Sequence, residues 1–218
     1  MVEWTFLAID TAYVVFGILA LTRTLKDWTK NKNRLLMAIS IYIIAVILRS
    51  FIDIAGYVAD INIDFIVVGY LPFGQVLGAI LFITQVEFVL FLKNLKKYYT
   101  LPVLVSFYIA FGRVLVDNIM PFIIYAMIVS YSSAFILIRD GRKTQNGLAV
   151  GMGLFFLLWG LGQTIGPRTP LIFIGFRLSA MIALFLGTRG IYEKYIWPDK
   201  IIEHKIKNTW IAKLVIKE

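Results

Sequence analysis

Long apolar stretches alternate with short polar connectors along the whole chain. A helix that crosses a bilayer core of about 30 Å needs roughly 20 apolar residues. Seven stretches approach that length, at 4–22, 35–58, 66–92, 101–117, 121–138, 147–166 and 170–192. Helices are expected here because lipid cannot satisfy irregular backbone. The pattern predicts an all-α, polytopic membrane protein, with a seven-helix transmembrane bundle over 1–193 and a tail over 194–218.

Composition supports a membrane location. Of the 218 residues, 60% are hydrophobic and 16% are charged, and the mean hydropathy is +0.81. Soluble domains are nearer 45–50% apolar and about 25% charged. These values exclude soluble, secreted and disordered classes. They indicate a multi-pass protein of the cell membrane, most simply a prokaryotic cytoplasmic membrane, with membrane lipids as partners.

The rarest residue types limit the available chemistry. The chain has no cysteine and one histidine, which excludes disulfides, thiolate metal sites and cysteine nucleophiles. No HExxH motif and no Ser/His constellation is present. We therefore expect no cofactor, no metal and no enzymatic activity.

Basic residues lie on one side of the predicted bundle. Eighteen of the 22 lysines and arginines fall in the connectors 23–34, 93–97 and 139–143 or beyond residue 188, whereas the connector 60–64 is acidic. The positive-inside rule then places the N-terminus outside and the C-terminus in the cytoplasm. The net charge of +9 follows from this asymmetry, so no nucleic-acid partner is expected.

The tail has the pattern of a basic amphipathic helix. Apolar residues fall near one helical face and lysines occupy much of the rest; the apolar positions are 201, 202, 206, 210, 211, 214 and 215. Such a helix lies on the anionic inner leaflet. The alternative is docking to a cytoplasmic or membrane signalling partner. His204 belongs to this surface and is a minor candidate for proton donation or ligation.

Eight polar residues converge, by depth, on the outer half of the bundle. Such residues are costly in a membrane helix and are candidate functional residues by default. They are Asp10, Arg49, Asp53, Gln75, Arg113, Asp117, Gln163 and Arg177. Arginine recognises carboxylate and phosphate bidentately. If these side chains point inward, they form an outward-facing pocket for a small anionic or zwitterionic ligand.

Structural pairing is the alternative for the same residues. Arg49 with Asp53, and Arg113 with Asp117, are spaced i, i+4 and can pair on one helix face. Arginines and aspartates that neutralise each other would then hold neighbouring helices together. Both interpretations stay open from the sequence.

Two further features concern the predicted spans three and six. Glu87 lies in the inner half of span three and is a proton-coupling candidate, the alternative being an ion pair with Lys93 or Arg139. Six glycines in span six predict close helix packing. They are Gly147, Gly151, Gly153, Gly160, Gly162 and Gly166.

Three short stretches resemble the microbial rhodopsins. They are Glu3-Trp4-Thr5-Phe6-Leu7-Ala8 in span one, Leu158-Trp159-Gly160-Leu161-Gly162 in span six and Leu178-Ser179-Ala180-Met181 in span seven. The resemblance implies a seven-helix, N-out bundle in which Trp159 corresponds to the tryptophan that packs on retinal. Met181 stands where that family has its retinal-binding lysine, so the resemblance implies a relative without pigment.

Spans 1–3 and spans 5–7 show a weak sequence similarity that would make them parallel repeats. This arrangement resembles that of a second group, the sugar-transporter-like SWEET and PQ-loop proteins. Their Pro-Gln motif is absent, since Pro72 and Pro121 are each followed by phenylalanine. The favoured hypothesis is a seven-transmembrane sensor or receptor that signals through a partner. The alternatives are a small-solute transporter and a structural subunit of a membrane complex.

Overall fold

The protein is built of α-helices, and four of them are long and apolar enough to cross a membrane. The computed structural model describes residues 2–32, 34–59, 67–68, 71–72, 80–81, 83–87, 89–90, 95–98, 100–106, 108, 120–165 and 170–198. The four candidate spans are Trp4–Lys30, Ile39–Gly56, Ile123–Thr144 and Leu171–Thr188. A shorter apolar helix covers Gly147–Gly162.

Six α-helices are defined within the described residues. They are α1 (Val2–Asn31), α2 (Arg34–Ala59), α3 (Met120–Thr144), α4 (Gly147–Ile165), α5 (Pro170–Thr188) and the short α6 (Ile191–Ile196). The predicted spans one, two, five, six and seven coincide with α1 to α5. Residues 83–87 and 100–106 are also helical, as expected within spans three and four. The tail beyond residue 198 lies outside the described residues.

The predicted start of span three is wrong. Val67–Val68 and Leu71–Pro72 form two short antiparallel strands, with Val67 opposite Pro72 and Val68 opposite Leu71. β-Branched residues favour extended backbone, and a proline cannot donate the hydrogen bond that a helix interior requires. The run 66–92 is therefore apolar throughout but is not one continuous helix.

Two left-handed residues end long helices on the basic side. Lys32 has φ 49° and Gln145 has φ 50°. After α3, the Asn146 N–H donates to the Gly141 carbonyl at 2.8 Å and the Gln145 N–H donates to the Arg142 carbonyl at 3.4 Å. This pair of bonds is the Schellman arrangement. It lets α3 and α4 reverse direction over two residues, so they pack antiparallel.

The helices pack in the order α3, α4, α5, α1, α2, each against the next. An aromatic group closes the centre between α2 and α4: Tyr42 makes edge-on contacts with Phe155 and Phe156 at centroid distances of 5.6 and 5.4 Å. Met181 on α5 is fully buried in the same core. The core therefore joins the five helices α1 to α5.

Glycines of α4 allow its two neighbours to approach closely, as predicted. A Cβ placed on Gly151 would lie 2.9 Å from both the Ala183 carbonyl oxygen and the Gly187 Cα on α5. On the other side, a Cβ on Gly153 would lie 3.1 Å from the Ala134 carbonyl oxygen of α3. The prediction of close packing by the span-six glycines is confirmed at these positions, whereas Gly166 lies outside the described residues.

Candidate functional site: a buried arginine held by two aspartates

The candidate site forms where buried stripes of three helices meet. On α1, Asp10 and Tyr13 lie on the face that continues to Gly17, because residues three and four apart share a helix face. On α2, Ser50 and Asp53 have the same spacing. Arg177 occupies the core face of α5. Helical periodicity thus places the polar groups of α1 on one face and those of α2 on one face, and the packing of the helices buries these faces.

Arg177 is the centre of the site. Its Nη1 lies 3.4 Å from Asp10 Oδ1, and its Nη2 lies 3.3 Å from Asp53 Oδ2. Nη2 also donates a hydrogen bond to Ser50 Oγ at 2.9 Å. The Arg177 side chain is 7% exposed and that of Asp10 is 0% exposed. One guanidinium therefore ties α5 to both α1 and α2 away from solvent.

Aromatic rings surround the same guanidinium. Its Cζ lies 5.2 Å from the ring centroid of Tyr13, 5.6 Å from that of Phe173 and 5.7 Å from that of Trp159. The negative faces of such rings attract a cation, and the attraction increases when the cation is desolvated. The rings therefore stabilise the charge of Arg177 and bring α4 into the site through Trp159.

Asp53 joins the buried part of the site to a more exposed part. Its Oδ1 lies 3.1 Å from Arg49 Nη2, while its Oδ2 faces Arg177. Side-chain exposure rises outward from 7% at Arg177 to 16% at Asp53 and 35% at Arg49. Two arginines and two aspartates give the site no net charge. This compensation is what makes buried charges tolerable.

Several polar atoms of the site are buried without a hydrogen-bond partner in the described part of the chain. They are both carboxylate oxygens of Asp10, the hydroxyl of Tyr13 and Nε of Arg177. The ion pair with Arg177 is thus the compensation that the described residues provide for Asp10. Acceptors left in this state are costly, so the integrity of the site depends strongly on Arg177.

Four of the eight predicted site residues meet here: Asp10, Arg49, Asp53 and Arg177. Gln163 lies on α4 one turn beyond Trp159, but its side chain is outside the described residues, as are Gln75, Arg113 and Asp117. Glu87 is helical and half-buried, and the structure describes no contact between it and the Arg177 cluster. Its proton-coupling role stays a prediction.

Sequence reasoning missed four members of the site. Ser50 and Tyr13 each lie three residues from a predicted aspartate, which is the signal that would have found them. Phe173 lies four residues before Arg177 on the same face. The sequence singles out Trp159 only through its resemblance to a retinal-packing tryptophan; here it stacks on Phe155 at 5.8 Å with an interplanar angle of 15°.

Comparisons with known proteins add no assignment. No protein-family model, curated protein or solved structure matches this chain. Within the described residues, no group of three or more histidine, aspartate or glutamate side chains is placed to hold a metal ion. The site is defined by its arginines and aspartates.

Proposed function

We propose that the protein is a sensor-like seven-helix membrane protein, N-terminus outside, in which a small anionic or zwitterionic ligand acts on the Arg177 cluster. The observation that carries this proposal is the position of Asp53 between two arginines, 3.1 Å from Arg49 and 3.3 Å from Arg177. An anion that binds Arg49 competes with Asp53, and any movement of Asp53 changes the contacts of the buried Arg177.

The gradient of exposure gives this exchange a direction. Arg49 is the most exposed member of the cluster, and Arg177 is the more buried of the two arginines. A carboxylate or phosphate therefore meets Arg49 first, where it can form the bidentate contact that guanidinium favours. Loss of one Asp53 contact would then loosen α2 from α5 and alter the packing of α1.

A change at Arg177 would be transmitted along α5 to the predicted cytoplasmic side of the membrane. Arg177 and Arg189 are twelve residues apart, about 18 Å along a helix axis. α6 follows directly, and the Tyr192 hydroxyl donates to the Ala183 carbonyl at 3.1 Å. Burial raises the pKa of the Tyr192 phenol, so this group stays a donor at neutral pH. The amphipathic tail would then carry the change to a partner.

Native mass spectrometry of the gently solubilised full chain tests the proposal. We expect a stoichiometric small anionic or zwitterionic adduct that is lost in Arg49→Gln and kept in Lys26→Gln, which removes an exposed basic residue elsewhere on the chain. A protein without adduct that arrives bound to another subunit would contradict the proposal. It would favour the structural-subunit alternative, in which the compensated charges only hold helices together.

A second experiment separates receptor from transporter. Removal of residues 199–218 should abolish signalling but leave ligand binding intact if the protein is a receptor. Flux of the adduct into proteoliposomes, abolished by Arg49→Gln, would instead indicate a transporter. The resemblance to the microbial rhodopsins stays a prediction, with Met181 at the position of their retinal-binding lysine.

A further inference from the structure

A second polar site lies at the basic ends of α1 and α5. A cavity of about 230 Å³ opens there between α1, α5 and α6. Its charged lining residues are Arg23, Asp27, Arg189 and Glu193. The cluster around Arg177 shares none of them, so binding at this cavity does not depend on a ligand at that cluster.

The charged groups of the cavity are held in place but accessible. Arg23 Nε lies 3.2 Å from Asp27 Oδ2, and their side chains are 43% and 31% exposed. The Arg189 guanidinium lies 5.2 Å from the centroid of the Phe185 ring, and the residue is exposed. Two cations and two anions thus line one small space, and both members of the α1 pair reach solvent.

Glu193 adds a buried acceptor to this wall. Its Oε1 accepts a hydrogen bond from the Gly147 N–H at the start of α4, at 2.6 Å. Its Oε2 is buried and has no hydrogen-bond partner in the part of the chain that the structure describes. This oxygen has almost no accessible surface, so Glu193 contributes negative charge to the wall of the cavity and not a direct contact with an occupant.

The balance of charges selects the chemistry of the occupant. A purely anionic group would face Asp27 and Glu193, and a purely cationic group would face Arg23 and Arg189. A zwitterionic group is favoured, because its anion is attracted by the two arginines and its cation by the two carboxylates. Guanidinium binds phosphate particularly well, and a primary ammonium can donate hydrogen bonds to carboxylates. The volume is below the 300–1,000 Å³ typical of drug-sized pockets, which limits the occupant to a small group.

The surroundings indicate the source of that group. Interfacial tryptophans and basic residues mark the headgroup level of a membrane. Trp28 lies on α1 one residue beyond Asp27, and the Lys32 ammonium lies 5.1 Å from the centroid of its ring. A tryptophan and a lysine of the kind that mark the headgroup level thus adjoin the cavity. We infer that it binds the phosphoethanolamine headgroup of a membrane phospholipid, with phosphate at Arg23 and Arg189 and ammonium at Asp27, near the negative charge of Glu193.

Lipid exchange followed by native mass spectrometry tests this inference on the full chain. The probes are phosphatidylethanolamine, phosphatidylcholine and phosphatidylglycerol with identical acyl chains. Phosphatidylcholine cannot donate from its quaternary ammonium, and phosphatidylglycerol has no cation. We expect phosphatidylethanolamine to be retained at about tenfold lower concentration than either. Equal retention of the three lipids by the unmodified protein would overturn the inference without any variant.

Two variants and a control locate the binding. Asp27→Asn should remove the preference for phosphatidylethanolamine over phosphatidylcholine, and Arg189→Gln should weaken retention of both. Lys30→Gln changes a basic residue of α1 that does not line the cavity. It should change neither the lipid preference nor the retention. Retention unaffected by Asp27→Asn and Arg189→Gln would overturn the assignment. Soluble phosphoethanolamine that displaces the lipid at equal concentration would overturn the lipid source.

Discussion

At the scale of single residues, Arg177 decides whether the buried charges are tolerable. Asp10 is completely buried and has Arg177 as its ion-pair partner, whereas Asp53 also has Arg49. Breaking a buried pair by removing one member leaves an uncompensated charge. The consequences of losing Arg177 should therefore differ between the two aspartates.

Arg177→Met should lower the free energy of unfolding by about 3–5 kcal/mol, the usual cost of an orphaned buried charge. Adding Asp10→Asn to this variant should recover a large part of the lost stability. Adding Asp53→Asn should recover less, because Asp53 keeps its ion pair with Arg49 when Arg177 is removed. The free energy of unfolding of these three variants is measured by titrating a denaturing detergent into mixed micelles.

Arg142→Gln provides the control for this series. Arg142 is an exposed residue near the end of α3, and a surface change of this kind should stay within about 0.5 kcal/mol of the original protein. An Arg177→Met protein as stable as the control would show that the cluster contributes little to folding.

At the scale of helices, small residues set how closely neighbours pack. Between lipid-facing helices the hydrophobic driving force is weak, so close backbone approach and shape provide the association energy. α4 uses Gly151 against α5 and Gly153 against α3. The same helix also carries Trp159 toward Arg177, so its packing positions part of the candidate site.

Gly151→Ala should destabilise the α4–α5 contact by about 1–3 kcal/mol, the range for overpacking. The added Cβ would meet backbone atoms at 2.9 Å, and backbone cannot rotate out of the way as a side chain can. The measurement is again the free energy of unfolding in micelles.

Gly175→Ala is the matched control, since a Cβ on Gly175 of α5 meets nothing within 4 Å. Alanine there should be neutral or stabilise the protein by about 0.4–1 kcal/mol through reduced freedom of the unfolded chain. If both alanine variants have the same stability, close packing at Gly151 is not an energetic requirement.

At the scale of the whole molecule, the number of spans and the orientation are the main predictions. Four candidate spans are described. The apolar stretches predict seven, and the distribution of basic residues predicts that the N-terminus is outside. The absence of cysteine makes a labelling experiment clean, because every introduced thiol reports on its own position.

Glu3→Cys and Asn62→Cys should react with a membrane-impermeant maleimide in intact cells. Lys143→Cys and Lys213→Cys should react only after permeabilisation. Labelling of positions 3 and 213 from the same side would require an even number of spans and would contradict the seven-span topology.

Much of the helical architecture could be predicted from the chain itself. Five apolar stretches coincide with α1 to α5 because length and hydropathy are local properties. The Arg49–Asp53 pair was also predictable, since i, i+4 spacing on one helix fixes their distance. The predicted start of span three was wrong for a local reason: strand-favouring valines and Pro72 interrupt the helix without lowering the hydropathy of the apolar run.

Only the tertiary structure decided that Asp10 and Arg177 form one site. Periodicity identifies the inward face of each helix but not which helices are neighbours, because in lipid that choice depends on shape rather than on apolar area. The glycines of α4 allow the close approach of α5, the aromatic core joins α2 to α4, and α1 packs against both α2 and α5. That packing brings two aspartates and a serine to a single guanidinium, and it determines which predicted polar residues contact one another.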